Sequence, residues 1–327
     1  MKRWGVVVAM FVALNLPWSI ATVEAKMDNF ARFPGATLLT GYAPGNLVVT
    51  IGDATLGLQT EGGNSYVLPS LSADGNLVAS ARYADLASTV PRARPLLTVG
   101  VYSMIEKQWR DYRNLEIQGG SVAVSPDGSE LAYVTRGTAE ARPRIQFLDL
   151  KTGAVSIGPE SMKNAGHISW SPDARRIVFD REVERSADGK AIPPLMAIFV
   201  LDVATGSASK IADGTSPSWS PSGEWIAFYD YQPGRDDVKK GWYADNANRI
   251  SVIHPDGTDH KVLVTFNHDE SLTVPPVWSP GLRSILVNKS HDSDKGTMDI
   301  YLLDIATQQL TKKFGNVPPV YAWAAAK

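Results

Sequence analysis

The sequence contains no cysteine. That excludes disulfide bonds, thiolate metal sites, a cysteine nucleophile and a lipid anchor carried on cysteine. It also has almost no excess charge. Lys and Arg number 32 and Asp and Glu 34, for a formal net charge of −2, so the broad basic footprint of a nucleic-acid-binding protein is missing. Histidine is scarce: His167, His254, His260, His268 and His291 are the whole set, and none falls in a His-x-x-x-His or Glu-x-x-His pattern. No Gly-x-Ser-x-Gly occurs, so the nucleophile elbow of the α/β-hydrolases is absent. Beyond the N-terminus no apolar run approaches the roughly 18 residues that mark a transmembrane helix.

The N-terminus carries one apolar run. Lys2 and Arg3 precede a stretch from Trp4 to Leu16, Pro17 breaks it, and Val23 and Ala25 place small residues before a cut after Ala25. This three-part layout is that of a secretory signal peptide, and the run is too short to span a bilayer. Residues 1–25 are expected to be cleaved, leaving residues 26–327 as a single domain without a transmembrane segment, periplasmic or secreted.

The rest of the chain repeats. Leu71-Ser-Ala-Asp-Gly75, Val124-Ser-Pro-Asp-Gly128, Trp170-Ser-Pro-Asp-Ala174, Trp219-Ser-Pro-Ser-Gly223 and Trp278-Ser-Pro-Gly-Leu282 lie 46 to 59 residues apart, and each runs into an alternating apolar stretch. Pro presets φ at the first turn position, Asp bonds back to the backbone and Gly takes φ above zero, so each copy reads as the turn of a β-hairpin. A second hairpin follows in each unit, as in Ile145-Gln-Phe-Leu-Asp-Leu-Lys-Thr-Gly153 and Ile198-Phe-Val-Leu-Asp-Val-Ala-Thr-Gly206. Four strands per period of this length are the mark of a propeller blade. Val317-Pro-Pro-Val-Tyr321 repeats Val274-Pro-Pro-Val-Trp278, so the C-terminus supplies one more first strand. Its three companions are available at 36–40, 47–51 and 56–60. The expectation is an all-β, six-bladed β-propeller, closed by a C-terminal strand joining an N-terminal blade. Trp170, Trp219 and Trp278 hold one position in the repeat and are expected between neighbouring blades.

The Trp-Ser-Pro-Asp hairpin followed by Leu-Asp-Val-Ala-Thr-Gly resembles the repeats of the TolB-like propellers. The resemblance covers essentially the whole mature chain and implies a six-bladed propeller. TolB itself carries an α/β domain before its propeller, whereas only residues 26–34 precede the first strand here.

Spacing within the repeat varies most between the second and third strands, and these connections lie at one mouth of a propeller's channel. Variable loops on a rigid scaffold are where recognition concentrates. The two longest insertions are expected over 180–194 and 229–248. The first is rich in charge, with Arg181, Glu182, Glu184 and Arg185. The second holds Tyr229, Tyr231, Arg235, Trp242 and Tyr243, residue types enriched in interface hot spots. His167, at the start of a first strand, is expected at the same mouth. Asp292-Ser-Asp294-Lys-Gly296 opens like a calcium loop but has Leu303 where the twelfth-position Glu belongs.

The composite expectation is a monomeric, exported, non-catalytic propeller that binds an envelope protein, peptide or glycan at the loop-rich mouth. Its binding residues would be Tyr229, Tyr231, Arg235, Trp242, Tyr243 and His167, with no cofactor, no metal and no nucleic acid. The alternative is a propeller hydrolase or lyase with a metal at the channel axis, drawing ligands from among His167, Asp213, His268, Asp269, Glu270 and Asn316.

Overall fold

The computed structural model describes residues 36–42, 46–51, 54–58, 66–83, 97–115, 117–135, 143–162, 165–183, 195–230, 247–266, 272, 274–292, 297–317 and 319–325. The expected signal segment lies outside them. The strands form six four-stranded antiparallel sheets. The first sheet holds β1 (Ala36–Tyr42), β2 (Asn46–Ile51) and β3 (Ala54–Leu58). The second holds β4 (Tyr66–Leu71), β5 (Leu77–Tyr83), β6 (Leu97–Ser103) and β7 (Gln108–Leu115). In the third are β8 (Ile117–Val124), β9 (Glu130–Thr135), β10 (Ile145–Asp149) and β11 (Val155–Ile157). The fourth comprises β12 (Ala165–Trp170), β13 (Arg176–Val183), β14 (Leu195–Asp202) and β15 (Ala208–Asp213). β16 (Thr215–Trp219), β17 (Ile226–Asp230), β18 (Arg249–Ile253) and β19 (Lys261–Thr265) make the fifth. β20 (Val277–Trp278), β21 (Ser284–Asp292), β22 (Thr297–Asp304) and β23 (Leu310–Val317) make the sixth.

The last strand, β24 (Val320–Ala325), returns to the first sheet and pairs antiparallel with β1, in a register that sets Leu38 opposite Trp323 and Thr40 opposite Val320. The chain ends are thereby joined in one sheet. The first strands β4, β8, β12, β16, β20 and β24 pack against one another in sequence, and β24 packs against β4, so they form a closed inner ring. Closure leaves no free sheet edge at the junction of first and last sheets.

The repeated turns explain why the sequence folds this way locally. Ser125 donates from Oγ to Asp127 Oδ1 at 2.6 Å and accepts from the Glu130 amide at 2.9 Å, while Asp127 accepts from the Ser129 amide. The same serine–aspartate bond recurs at Ser72/Asp74 and Ser171/Asp173. It holds the Asp127 and Asp173 carboxyls below their usual range. Gly128 takes the φ of +71° that the turn requires, and Ala174 and Leu282 fill the matching position at +57° and +61°.

The core is divided among the sheet-to-sheet interfaces. Buried apolar residues gather into six clusters, each bridging two successive sheets. Trp170, Trp219 and Trp278 are buried in three of them. The Trp170 indole donates to the Ala123 carbonyl of the third sheet, and that of Trp278 to the Ser218 carbonyl of the fifth. All three rings fill apolar space between two sheets; Trp170 and Trp278 satisfy their one donor across the gap, whereas Trp219 donates to the Gly223 carbonyl of its own turn.

Candidate functional site at the channel mouth

Antiparallel alternation sorts the connections into two faces. Turns between first and second strands, and between third and fourth, share one face, and those among the described residues run from the four residues 104–107 to the seven residues 254–260. The strand ends joined by the connections between second and third strands lie on the opposite face, with those joined by the links between sheets. The connections between second and third strands run from the three residues 43–45 to the eighteen residues 231–248. The expected insertions are narrower than the spacing implied. Pairing with β14 keeps β13 going to Val183, and β17 runs on to Asp230, so Asp180, Arg181, Glu182, Tyr229 and Asp230 are strand residues. Arg181 lies over the Phe199 ring and donates to the Ser161 carbonyl.

Tyr229 is fully buried between the fifth and sixth sheets, where its hydroxyl donates to the Val274 carbonyl at 2.6 Å. Burial pushes its phenol far above the usual value. It anchors the strand from which the long insertion leaves and offers no surface to a ligand. Tyr231, Arg235, Trp242 and Tyr243 lie outside the described residues, as do His268, Asp269 and Glu270. Asp213 is exposed and ion-paired with Lys210, and the Asn316 amide donates to Asp299, which also pairs with Lys312. The side-chain bonds of His167 go to Asp180 and Ser216 and not to either of these two. Among the described residues no three His, Asp or Glu side chains converge as a metal-binding group.

What His167 does meet is Asp180. Near the mouth β12 carries a bulge: Ala165 pairs with Arg181 and Ile168 with Phe179, so three steps on β12 match two on β13. β16 is bulged at the same place, between Thr215 and Ser218. Bulges re-aim side chains next to functional sites. Here they turn His167 and Ser216 toward the carboxylate of Asp180, which is completely buried. Asp180 Oδ1 accepts from the His167 amide at 2.7 Å. Its Oδ2 accepts from His167 Nδ1 at 3.0 Å, from Thr215 Oγ1 at 2.7 Å and from the Ser216 amide at 2.7 Å. A Cβ on Gly166 would collide with Asp180 Oδ1, so only glycine fits there. Ser216 is buried with φ at +56°, a left-handed conformation that costs roughly 1–3 kcal/mol in a non-glycine residue.

Asp180 is one member of a structural column. The matching residue of β17 is Tyr229 and that of β21 is Asn288. Asn288 both donates to and accepts from the Val320 backbone of β24. Asp180 and Asn288 tie their sheets to the first strand of the next, and Tyr229 ties its own to Val274, three residues before β20. Only Asp180 brings a charge, and His167 is its counter-charge.

Burial opposes ionisation at His167, but the Asp180 carboxylate and its hydrogen bond outweigh this and raise the imidazole above its usual value. Burial likewise opposes the Asp180 charge, and the His167 imidazolium and the donors from β16 hold its carboxyl below the ordinary range. A raised histidine stabilises the fold below the unfolded value of about 6.5, and that contribution is lost as pH rises through the folded value. A lowered aspartate stabilises above about 3.8, and its contribution is lost as pH falls through the folded value. The pair therefore contributes in full between about pH 4 and 6.5. Wild-type protein should lose stability from there into the alkaline range, and His167→Gln should flatten that slope. Denaturant melts across pH measure both, and an unchanged slope in the variant would show that the pair does not titrate as described.

The arrangement is not a serine-protease triad. Ser216 Oγ lies 3.4 Å from His167 Nδ1, the nitrogen already bonded to Asp180, whereas a triad places the serine on Nε2.

The inner ring, sheet order and closure define a β-propeller. Solved structures show the same fold at low sequence identity. TolB from Acinetobacter baumannii matches with a TM-score of 0.63 and 15% identity over 95% of this chain and 74% of that one. A putative TolB from Agrobacterium tumefaciens gives 0.58 and 14% identity over 88% and 92%. An oligogalacturonate lyase in complex with manganese gives 0.52 and 17% identity over 86% and 72%. The propeller is thus TolB-like in fold. No family model and no curated protein sequence matches the chain. No helix among the described residues is long and apolar enough to cross a membrane.

Proposed function

We propose that the protein is an exported, non-catalytic propeller, acting as a monomer, that binds an envelope protein, peptide or glycan at the loop-rich mouth. The observation that carries this reading is the difference between faces: the longest connections leave and re-enter the sheets at one end, and the built His167–Asp180–Ser216 cluster sits at that same end of the inner ring. The insertion residues Tyr231, Arg235, Trp242 and Tyr243 supply the recognition surface, with His167 contributing from the first strand of the fourth sheet and Tyr229 as buried support. The N-terminal 25 residues export the chain.

Combining Tyr231→Ala, Trp242→Ala and Tyr243→Ala should abolish partner capture from an envelope extract while leaving the melting temperature nearly unchanged. Truncating hot-spot aromatics commonly costs about 2 kcal/mol or more each, so a tight complex weakens by several orders of magnitude. A second reading, a metal-dependent enzyme at the channel axis, draws on the fold shared with a manganese-bound lyase. Capture that survives the triple variant but is lost with EDTA would favour it.

A further inference from the structure

We propose that His167, oriented by Asp180, presents Nε2–H at the mouth as a donor to a carboxylate of the ligand, so that the mouth selects acidic ligands. This rests on the reading of the mouth as the binding face. Asp180 has its acceptor capacity filled by two backbone amides, one hydroxyl and the imidazole. It is wholly buried, so a ligand cannot reach it, while the His167 side chain keeps 28% of its surface exposed. With Nδ1 pinned to the carboxylate, the rigid ring fixes the direction of Nε2 on its far side. Among the described residues Nε2 has no hydrogen-bond partner.

The charge state decides what Nε2 accepts. An imidazolium is a donor at both nitrogens, so the complementary group must be an acceptor, and an anionic oxygen makes the stronger bond. A metal ion would require the neutral ring. The groups around His167 favour the cation. β13 contributes Asp180, β16 contributes the uncharged Thr215 and Ser216, and β8 contributes Ser121, which bonds the Ile168 amide beside it. Arg181 is turned away onto Phe199. Glu182 shares the Asp180 face of β13 by alternation and is exposed to solvent, which screens its charge. The fixed ring, the strained Ser216 and the obligatory Gly166 are costs that an inter-sheet tie does not need, since Tyr229 and Asn288 make theirs without them.

The test follows the His167 side-chain resonances of the full mature protein by NMR with three probes: acetate, N-acetylglutamate amide and glucuronate. The titration midpoint of His167 should rise when a carboxylate probe is present. Probe affinity should fall about tenfold or more between about pH 5.5 and about pH 8.5, either side of the ordinary histidine value. His167→Gln, which keeps a neutral donor, should lose the pH dependence. Tighter binding of the glutamate probe assigns a peptide source, tighter binding of glucuronate an acidic sugar, and either supports the site. An unmoved midpoint with all three probes overturns it in wild type, whatever the variant does. If that result accompanies loss of capture in the aromatic triple variant, the mouth reading stands and this inference fails. A responsive His167 with intact capture in the triple variant leaves the carboxylate site standing and removes the insertion aromatics from the recognition surface.

Discussion

Deleting residues 317–327 should lower the melting temperature by roughly 10 °C or more, or leave the protein aggregated. β24 is the only strand of the first sheet drawn from the C-terminal end of the chain, and it pairs with β1 along most of that strand's length. Its Val320 backbone also receives both polar atoms of Asn288, which is completely buried in the sixth sheet. Removing β24 opens the ring, strips β1 of its pairing, leaves the Asn288 amide unsatisfied in an apolar setting and uncovers the cluster containing Val317 and Val320. A buried polar group without partners costs about 1–3 kcal/mol by itself. Calorimetry and size-exclusion chromatography read the result, and an unchanged midpoint with monomeric elution would mean the ring does not depend on its closing strand.

Trp278→Ala should cost roughly 3–5 kcal/mol, a drop of about 5–10 °C in a protein of this size. The ring sits between the fifth and sixth sheets in the cluster that also holds Tyr229, Val287 and Leu303, and its indole nitrogen donates to the Ser218 carbonyl across the gap. Truncation leaves a cavity at an interface that joins two sheets and removes a donor for a carbonyl. Trp242→Ala, in the insertion, should leave stability nearly intact. The opposite ranking of the two variants in denaturant melts would overturn the assignment of repeat and insertion.

The repeat made the fold legible because propeller sheets are built from local hairpins, and each hairpin writes its turn into adjacent residues. Ser125 and Asp127 close one turn within two positions, so spacing alone reveals it. Closure was also legible, since Val317-Pro-Pro-Val repeats a first strand that has no following partners. Asp180 was not singled out. It ends a run, Ile177-Val-Phe, that reads as ordinary strand, and its partners stand 13, 35 and 36 positions away on two other strands. The available signal was columnar: aligned on the turn serines, Asp180, Tyr229 and Asn288 hold the same place after three apolar residues. His167 was placed at the mouth without a partner, because the bulge that aims it is a property of pairing. In sequence Tyr229 looks like a loop aromatic because Tyr231, two positions on, opens the insertion. The pairing of β17 with β18 carries two residues further than the apolar pattern suggested.

The most direct measurement of which face works is amide hydrogen exchange on the mature protein, alone and with its captured envelope partner. Binding at the mouth predicts new protection over 165–168, 214–216 and 231–246, with the turns at 125–129, 171–175 and 203–207 unchanged. Protection confined to those turns, with the mouth segments exchanging as in the free protein, would place the partner on the opposite face and contradict the proposed function.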